Sequence, residues 1–347
     1  MTDPEVSRRD FLRRSAIGAG AAAGLYPLGA AGQEEPPRAA ASLPREVWIA
    51  TFSLMGLQAE DPEDMIRQVI AQMEGISSAQ PDVICLPETF LISRSRRRPS
   101  PAEAASRAAD YLRPFAEFAK RHRAWLIVPT YTTDGRLVYN SSVVLDRSGE
   151  TVGEYRKMRP TEEEMEGGVA PGPFDPPVFQ TDFGIIGAQI CFDIEWAHGW
   201  ERLREKGAEI VFWSSAFAGG SMINTAAWQN KVHVVSSTHK DTAKICDVSG
   251  EVLARTDRWS PNWAIAPVNL EKAFLHTWPY NRHFDAIRAK YGRSVRITSF
   301  GEEEWTILES LSPDVRVADV MREFGMRTHE ETMNASERIH RRFWGQE

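Results

Sequence analysis

The segment Gly184-Ile185-Ile186-Gly187-Ala188-Gln189-Ile190-Cys191-Phe192-Asp193 constrains this chain more than any other. A nearly unbroken apolar run of strand length ends abruptly in a cysteine and then an acid. Strands buried on both faces read this way, because helices cover a parallel sheet above and below. The ends of such strands are where open α/β layers hold ligands. Cys191 therefore stands at the edge of a candidate cleft. Taken alone it fits a small packed hydrophobe equally well, since free cysteine is among the most buried residue types.

The rest of the chain supplies the layers such a strand needs. Glu46 to Phe52 reads as a first strand. Asp61-Pro62-Glu63-Asp64 then combines a capping acid, a proline and first-turn acids, which predicts a helix running to about Ala79. Val83 to Leu86 is a short buried strand ending at Pro87-Glu88. A second helix opens at Pro101, and Trp125 to Val128 is a strand. A hairpin turns at Arg147-Ser148-Gly149-Glu150, and its return strand ends at Tyr155. The stretch from Arg156 to Pro173 reads as an acidic, glycine-containing loop. Helices and strands alternate again after Cys191, with a strand over Glu209 to Trp213 and a last hairpin from Lys244 to Pro267, turning at Ser249-Gly250. No linker-like gap interrupts this interval, so it reads as one α/β domain with two halves of similar element order.

Four segments follow. Residues 1–33 carry Ser7-Arg8-Arg9-Asp10-Phe11-Leu12-Arg13 ahead of a weakly apolar Gly/Ala stretch, which looks like a twin-arginine export leader. Its removal would leave a periplasmic or extracellular protein without a stable membrane anchor. Residues 34–45 read as a Pro/Glu/Ala-rich linker, residues 46–270 as the catalytic domain, and residues 271–347 as a charged extension packing on the domain or a partner subunit. The formal charge of −7 argues against nucleic acid as a general partner. Three cysteines, Cys85, Cys191 and Cys246, cannot all pair with one another, and a Cys85–Cys246 disulfide stays open.

Two more strand-end residues give Cys191 a context. Glu88 follows a strand and a proline, where a partly desolvated carboxylate can take and return protons. Lys157 lies just past a strand in Tyr155-Arg156-Lys157-Met158-Arg159. In isolation each fits an ordinary loop or basic-edge residue better than a catalytic one. Together they supply what cleavage of an amide by a thiol requires: a base for the sulfur proton, a nucleophile, and a cation for the developing oxyanion.

The order and content of Leu86-Pro87-Glu88-Thr89, Tyr155-Arg156-Lys157-Met158 and Gly187 to Asp193 resemble the nitrilase, or carbon–nitrogen hydrolase, superfamily. The resemblance covers about Glu46 to Leu270. It implies an αββα sandwich that forms four-layer dimers or higher homo-oligomers, with no metal and no cofactor. It also implies Glu88 as general base, Lys157 as oxyanion lysine and Cys191 as nucleophile. Many members carry a second structural or catalytic glutamate between lysine and cysteine, and here it is expected among the catalytic residues. Of Glu162, Glu163, Glu164 and Glu166, spacing back from Pro171-Gly172 favours Glu164. After the nucleophile the chain departs from the commonest pattern, with Ile194-Glu195-Trp196-Ala197-His198 where many relatives have Arg-Phe-Pro-Glu.

Phe192, Trp213 and Ser214 are the expected substrate-binding residues, with Trp213 equally suited to the core. The resulting expectation is a thiol-dependent hydrolase of a linear amide or N-carbamoyl compound. The alternatives are a nitrilase, an acyltransferase, or an inactive binding protein on the same fold.

Overall fold

The fold is described here from a computed structural model, for residues 43–239, 241–259 and 261–346. The twin-arginine segment lies outside these residues, as does most of the linker.

The first helix shows how closely local chemistry sets the elements. Asp61 accepts a hydrogen bond from the Asp64 N–H at 2.9 Å and Pro62 occupies the first turn, so α1 (Pro62–Ile76) begins there. Met65, Ile66, Val69 and Met73 recur at helical spacing and are buried against the first sheet.

That sheet contains β1 (Glu46–Phe52), β2 (Val83–Cys85), β3 (Trp125–Thr133), β4 (Val138–Leu145), β5 (Thr151–Arg156) and β12 (Trp263–Asn269), in the order β12-β1-β2-β3-β4-β5. The second contains β6 (Val178–Gln180), β7 (Ile185–Ile190), β8 (Ile210–Ser215), β9 (His233–Thr238), β10 (Lys244–Cys246) and β11 (Val252–Arg255), in the order β11-β10-β9-β8-β7-β6. In each sheet three parallel strands are followed by an antiparallel hairpin. The last strand of each half joins the other half's sheet. β6 pairs with β7, and β12 returns to pair with β1 along Glu46–Asn269 to Phe52–Trp263. The hairpin expected from Lys244 to Pro267 is therefore shorter than expected: β10 and β11 form it, and β12 belongs to the opposite sheet.

The two sheets pack face to face over an apolar layer that includes Ile49, Ile127 and Val144 from one and Ile186, Phe212 and Val235 from the other. α1 and α2 (Ala108–His122) cover the outer face of the first sheet, and α3 (Ala197–Glu205) and α4 (Ser221–Asn230) that of the second. This is an αββα sandwich. Where β1 and β9 meet, side-chain hydroxyls reach across to the opposing backbone. Thr51 Oγ1 donates to the Ser236 carbonyl at 2.6 Å, and Ser237 Oγ to that of Phe52 at 2.8 Å.

Residues beyond β12 build a third sheet, β13 (Lys272–His276), β14 (Val295–Phe300) and β15 (Trp305–Ser310), in the order β13-β15-β14. It has its own apolar cluster with α5 (Phe284–Tyr291) and α6 (Val317–Glu323). Trp228 of α4 joins it to the sandwich, stacking edge-on to Phe274 and Phe300 at 5.3 Å each. All three cysteines are free. Among the described residues no helix is long and apolar enough to cross a membrane.

Candidate active site

Glu88, Lys157 and Cys191 leave the ends of β2, β5 and β7, which the two sheets bring to one place. Glu88 and Lys157 are almost wholly buried. Lys157 Nζ donates to Glu88 Oε1 at 2.8 Å and to Glu164 Oε2 at 2.7 Å. Burial opposes its ammonium, but the negative groups around it, Glu88 first, outweigh that cost and raise its pKa. Lys157 therefore stays charged and is no base. Two of its three N–H groups are committed to carboxylates, leaving the third for an oxyanion.

The segment expected as loop from Arg156 contains one helical turn, Glu162–Glu166. Thr161 caps it, and Glu164 closes the capping box by accepting the Thr161 N–H at 2.8 Å. This geometry separates Glu164 from the other three candidates and presents its remaining lone pairs to Lys157. Burial works against its charge, but Lys157 and the hydrogen bonds around it hold its pKa below the usual range.

Asn140 in β4 was not singled out from sequence. Its Nδ2 donates to Glu88 Oε1 at 2.9 Å and to Glu164 Oε1 at 2.8 Å, bridging the two carboxylates. Asparagine is depleted in strands, so an asparagine within an otherwise β-rich run was the available signal. Glu88 Oε1 thus receives two donors, while Oε2, among the described residues, receives the Ala216 N–H at 2.9 Å. A carboxylate oxygen accepts about two hydrogen bonds, so Oε2 is the atom with room for a proton.

Cys191 sits at the turn leaving β7 with φ +49°, a left-handed conformation costing on the order of 1 kcal/mol for a residue with a Cβ. The clamp that enforces it is Asp193, also unassigned from sequence. Its Oδ2 accepts the Ile190 N–H at 2.9 Å and the Tyr155 hydroxyl at 2.7 Å, and its Oδ1 the Arg159 N–H at 2.8 Å. Burial pushes the Asp193 carboxyl up to about 6, against these bonds.

The Cys191 thiol is pushed up to about 12 by burial and by the Glu88 charge, with Lys157, the Ala216 N–H and the Ser215 hydroxyl pulling the other way. Such a shift favours the thiol over the thiolate at neutral pH, so a nucleophilic role for this sulfur would need a base to take its proton. The Ala216 N–H faces both the sulfur and Glu88 Oε2, and so marks where that proton can pass.

The expected binding residues divide. Phe192 is exposed beside Cys191, edge-on to Trp196 at 4.8 Å. Trp213 and Ser214 are wholly buried, and the structure gives them other work. Trp213 Nε1 donates to the Cys191 carbonyl at 3.0 Å, and Ser214 Oγ to the Leu86 carbonyl at 2.8 Å. Both faces of β8 are covered, so neither side chain lies on an open wall. Among the described residues no cluster of three or more acidic, histidine or cysteine side chains is arranged to hold a metal.

An αββα sandwich with a buried acid, ammonium and thiol at its strand ends defines a class of hydrolytic folds. The chain belongs to the carbon–nitrogen hydrolase family of the nitrilase superfamily, whose family model matches residues 49–274. It is 24% identical over 200 residues to deaminated glutathione amidase of Dictyostelium discoideum, covering 50% of this chain and 68% of that one. The mouse enzyme of that name is 30% identical over 135 residues, covering 35% of this chain and 41% of its own. A crystal structure of an amidase from Nesterenkonia sp. superposes with a TM-score of 0.59 at 17% identity, covering 66% of this chain and 92% of that one. That likeness shows the fold.

Proposed function

We propose that the protein is a thiol-dependent hydrolase of linear amides or N-carbamoyl compounds, with Cys191 as nucleophile, Glu88 as general base and acid, and Lys157 as oxyanion stabiliser. The observation that carries this reading is the pair of contacts made by Glu88: Lys157 on one oxygen, and on the other the Ala216 N–H that also faces the Cys191 sulfur.

The chemistry follows from these atoms. As sulfur bonds to the carbonyl carbon, its proton moves to Glu88 Oε2. The oxyanion forms against the third Lys157 N–H and the Phe192 backbone N–H. Glu88 returns the proton to nitrogen as the C–N bond breaks, and ammonia or an amine departs. Water then attacks the thioester, giving its proton to Glu88 and releasing acid and thiol. Glu164 and Asn140 do not touch the reacting atoms; they hold Lys157 and Glu88 in register.

The leader at Arg8-Arg9 supports export to the periplasm or beyond, and the family resemblance supports a homodimer. The test of the chemistry is ammonia release from aliphatic amides and N-carbamoyl amino acids. Cys191→Ala should abolish it while circular dichroism and melting stay near wild type. Turnover surviving that substitution would remove the thiol from the mechanism.

A further inference from the structure

The loop that carries Lys157 also holds a cation that the chemistry above does not use. Three cations leave β5 close together, and two are neutralised. Arg156 pairs with Glu154 at 2.6 Å and faces Asp134 at 3.8 Å, and Lys157 lies between Glu88 and Glu164. Arg159 makes no ion pair among the described residues. Its guanidinium instead rests on two rings, 5.1 Å from the Trp196 centroid and 5.5 Å from that of Phe174.

Arg159 is tied to the nucleophile. Its N–H is held by Asp193, whose other oxygen holds Ile190, the residue before Cys191. The Trp196 ring under the guanidinium meets Phe192, the residue after Cys191. Phe174 is largely exposed, so this aromatic shelf opens to solvent. A guanidinium half-buried on ring faces keeps its charge, sheds part of its water and leaves its N–H fork open. The partner that fits a planar fork of N–H donors is a carboxylate.

We propose that Arg159 is a specificity residue that binds a carboxylate on the substrate, so that the enzyme acts on amides or carbamoyl compounds bearing a second, acidic end. The proposal rests on the thiol-hydrolase reading above. It explains how a site already holding two carboxylates accepts an anion: the added negative charge meets Arg159 rather than Glu88 or Glu164.

The test compares kcat/KM for succinamate, an amide with a carboxylate, against butyramide, its neutral counterpart, in wild type, Arg159→Met and Arg159→Lys. Using the ratio within each variant cancels any loss of folded protein. Wild type should favour succinamate. Arg159→Met should lower that preference on the order of 100-fold, carried mainly by KM, and Arg159→Lys should restore part of it. An unchanged ratio in Arg159→Met, or a wild type indifferent to the carboxylate, overturns the proposal while butyramide turnover leaves the thiol chemistry standing. Absence of turnover on both amides removes the chemistry and the proposal with it.

Discussion

At the scale of single residues the site is a charge balance. Two carboxylates share one ammonium, and Asn140 bridges them by donating to both. Lys157→Met tests this balance in two ways. Without the cation at the oxyanion, kcat should fall on the order of 100- to 1000-fold. Removing one partner also leaves Glu88 and Glu164 facing each other in a dry pocket, which should cost about 3–5 kcal/mol by urea unfolding at neutral pH. That loss should shrink as pH falls and the stranded carboxylates take up protons. A Lys157→Met protein as active and as stable as wild type would mean that the ammonium has neither role. Asn140→Ala should do less, slowing turnover with little change in KM, because Asn140 bonds to Glu88 and Glu164 rather than to the reacting atoms.

At the scale of elements, the residues proposed for the chemistry leave strand ends, and strand interiors carry the core. Glu88 and Cys191 stand out in the sequence because each follows an apolar run, whereas Lys157 follows the polar strand Thr151–Arg156 and stands out only through the motif around it. Asn140 and Asp193 do not, since the contacts that define them include hydrogen bonds to residues distant in sequence, Glu88 for Asn140 and Tyr155 for Asp193. Trp213 and Ser214 lie in β8, which is buried along its whole length, and such an unbroken run gives no alternation to say which face a side chain takes.

His233 shows what burial in such a strand costs. It is almost wholly enclosed at the start of β9, with Nδ1 3.5 Å from Asp247 Oδ1, and burial lowers its pKa to about 4 despite that neighbour. Its folded value lies below the ordinary 6.5, so between 6.5 and about 4 the unfolded chain binds a proton that the folded one refuses. His233 therefore withdraws stability as pH falls through this window, on the order of 3 kcal/mol in all. Urea midpoints at pH 7 and pH 4.5 should separate by less in His233→Gln than in wild type. Equal separations would show that the imidazole is protonated in the fold.

At the scale of the whole molecule, the exchange of β6 and β12 is what makes one site out of two half-domains. The similar element order of the halves was visible in sequence, but the exchange was not, because nothing local distinguishes a strand that returns to its own sheet from one that crosses. The region beyond Leu270 resisted reading for a related reason. Its aromatic residues are scattered in sequence and acquire meaning only when Phe274 and Phe300 converge on Trp228 of α4. Trp228 is thus the point where the third sheet depends on the sandwich. Trp228→Ala removes the shared ring and should destabilise the protein by about 3–5 kcal/mol. A Trp228→Ala/Phe274→Ala pair should cost less than the two single losses combined, since both remove the same contact. Additive losses in that cycle would show that the two rings stabilise separate parts of the fold.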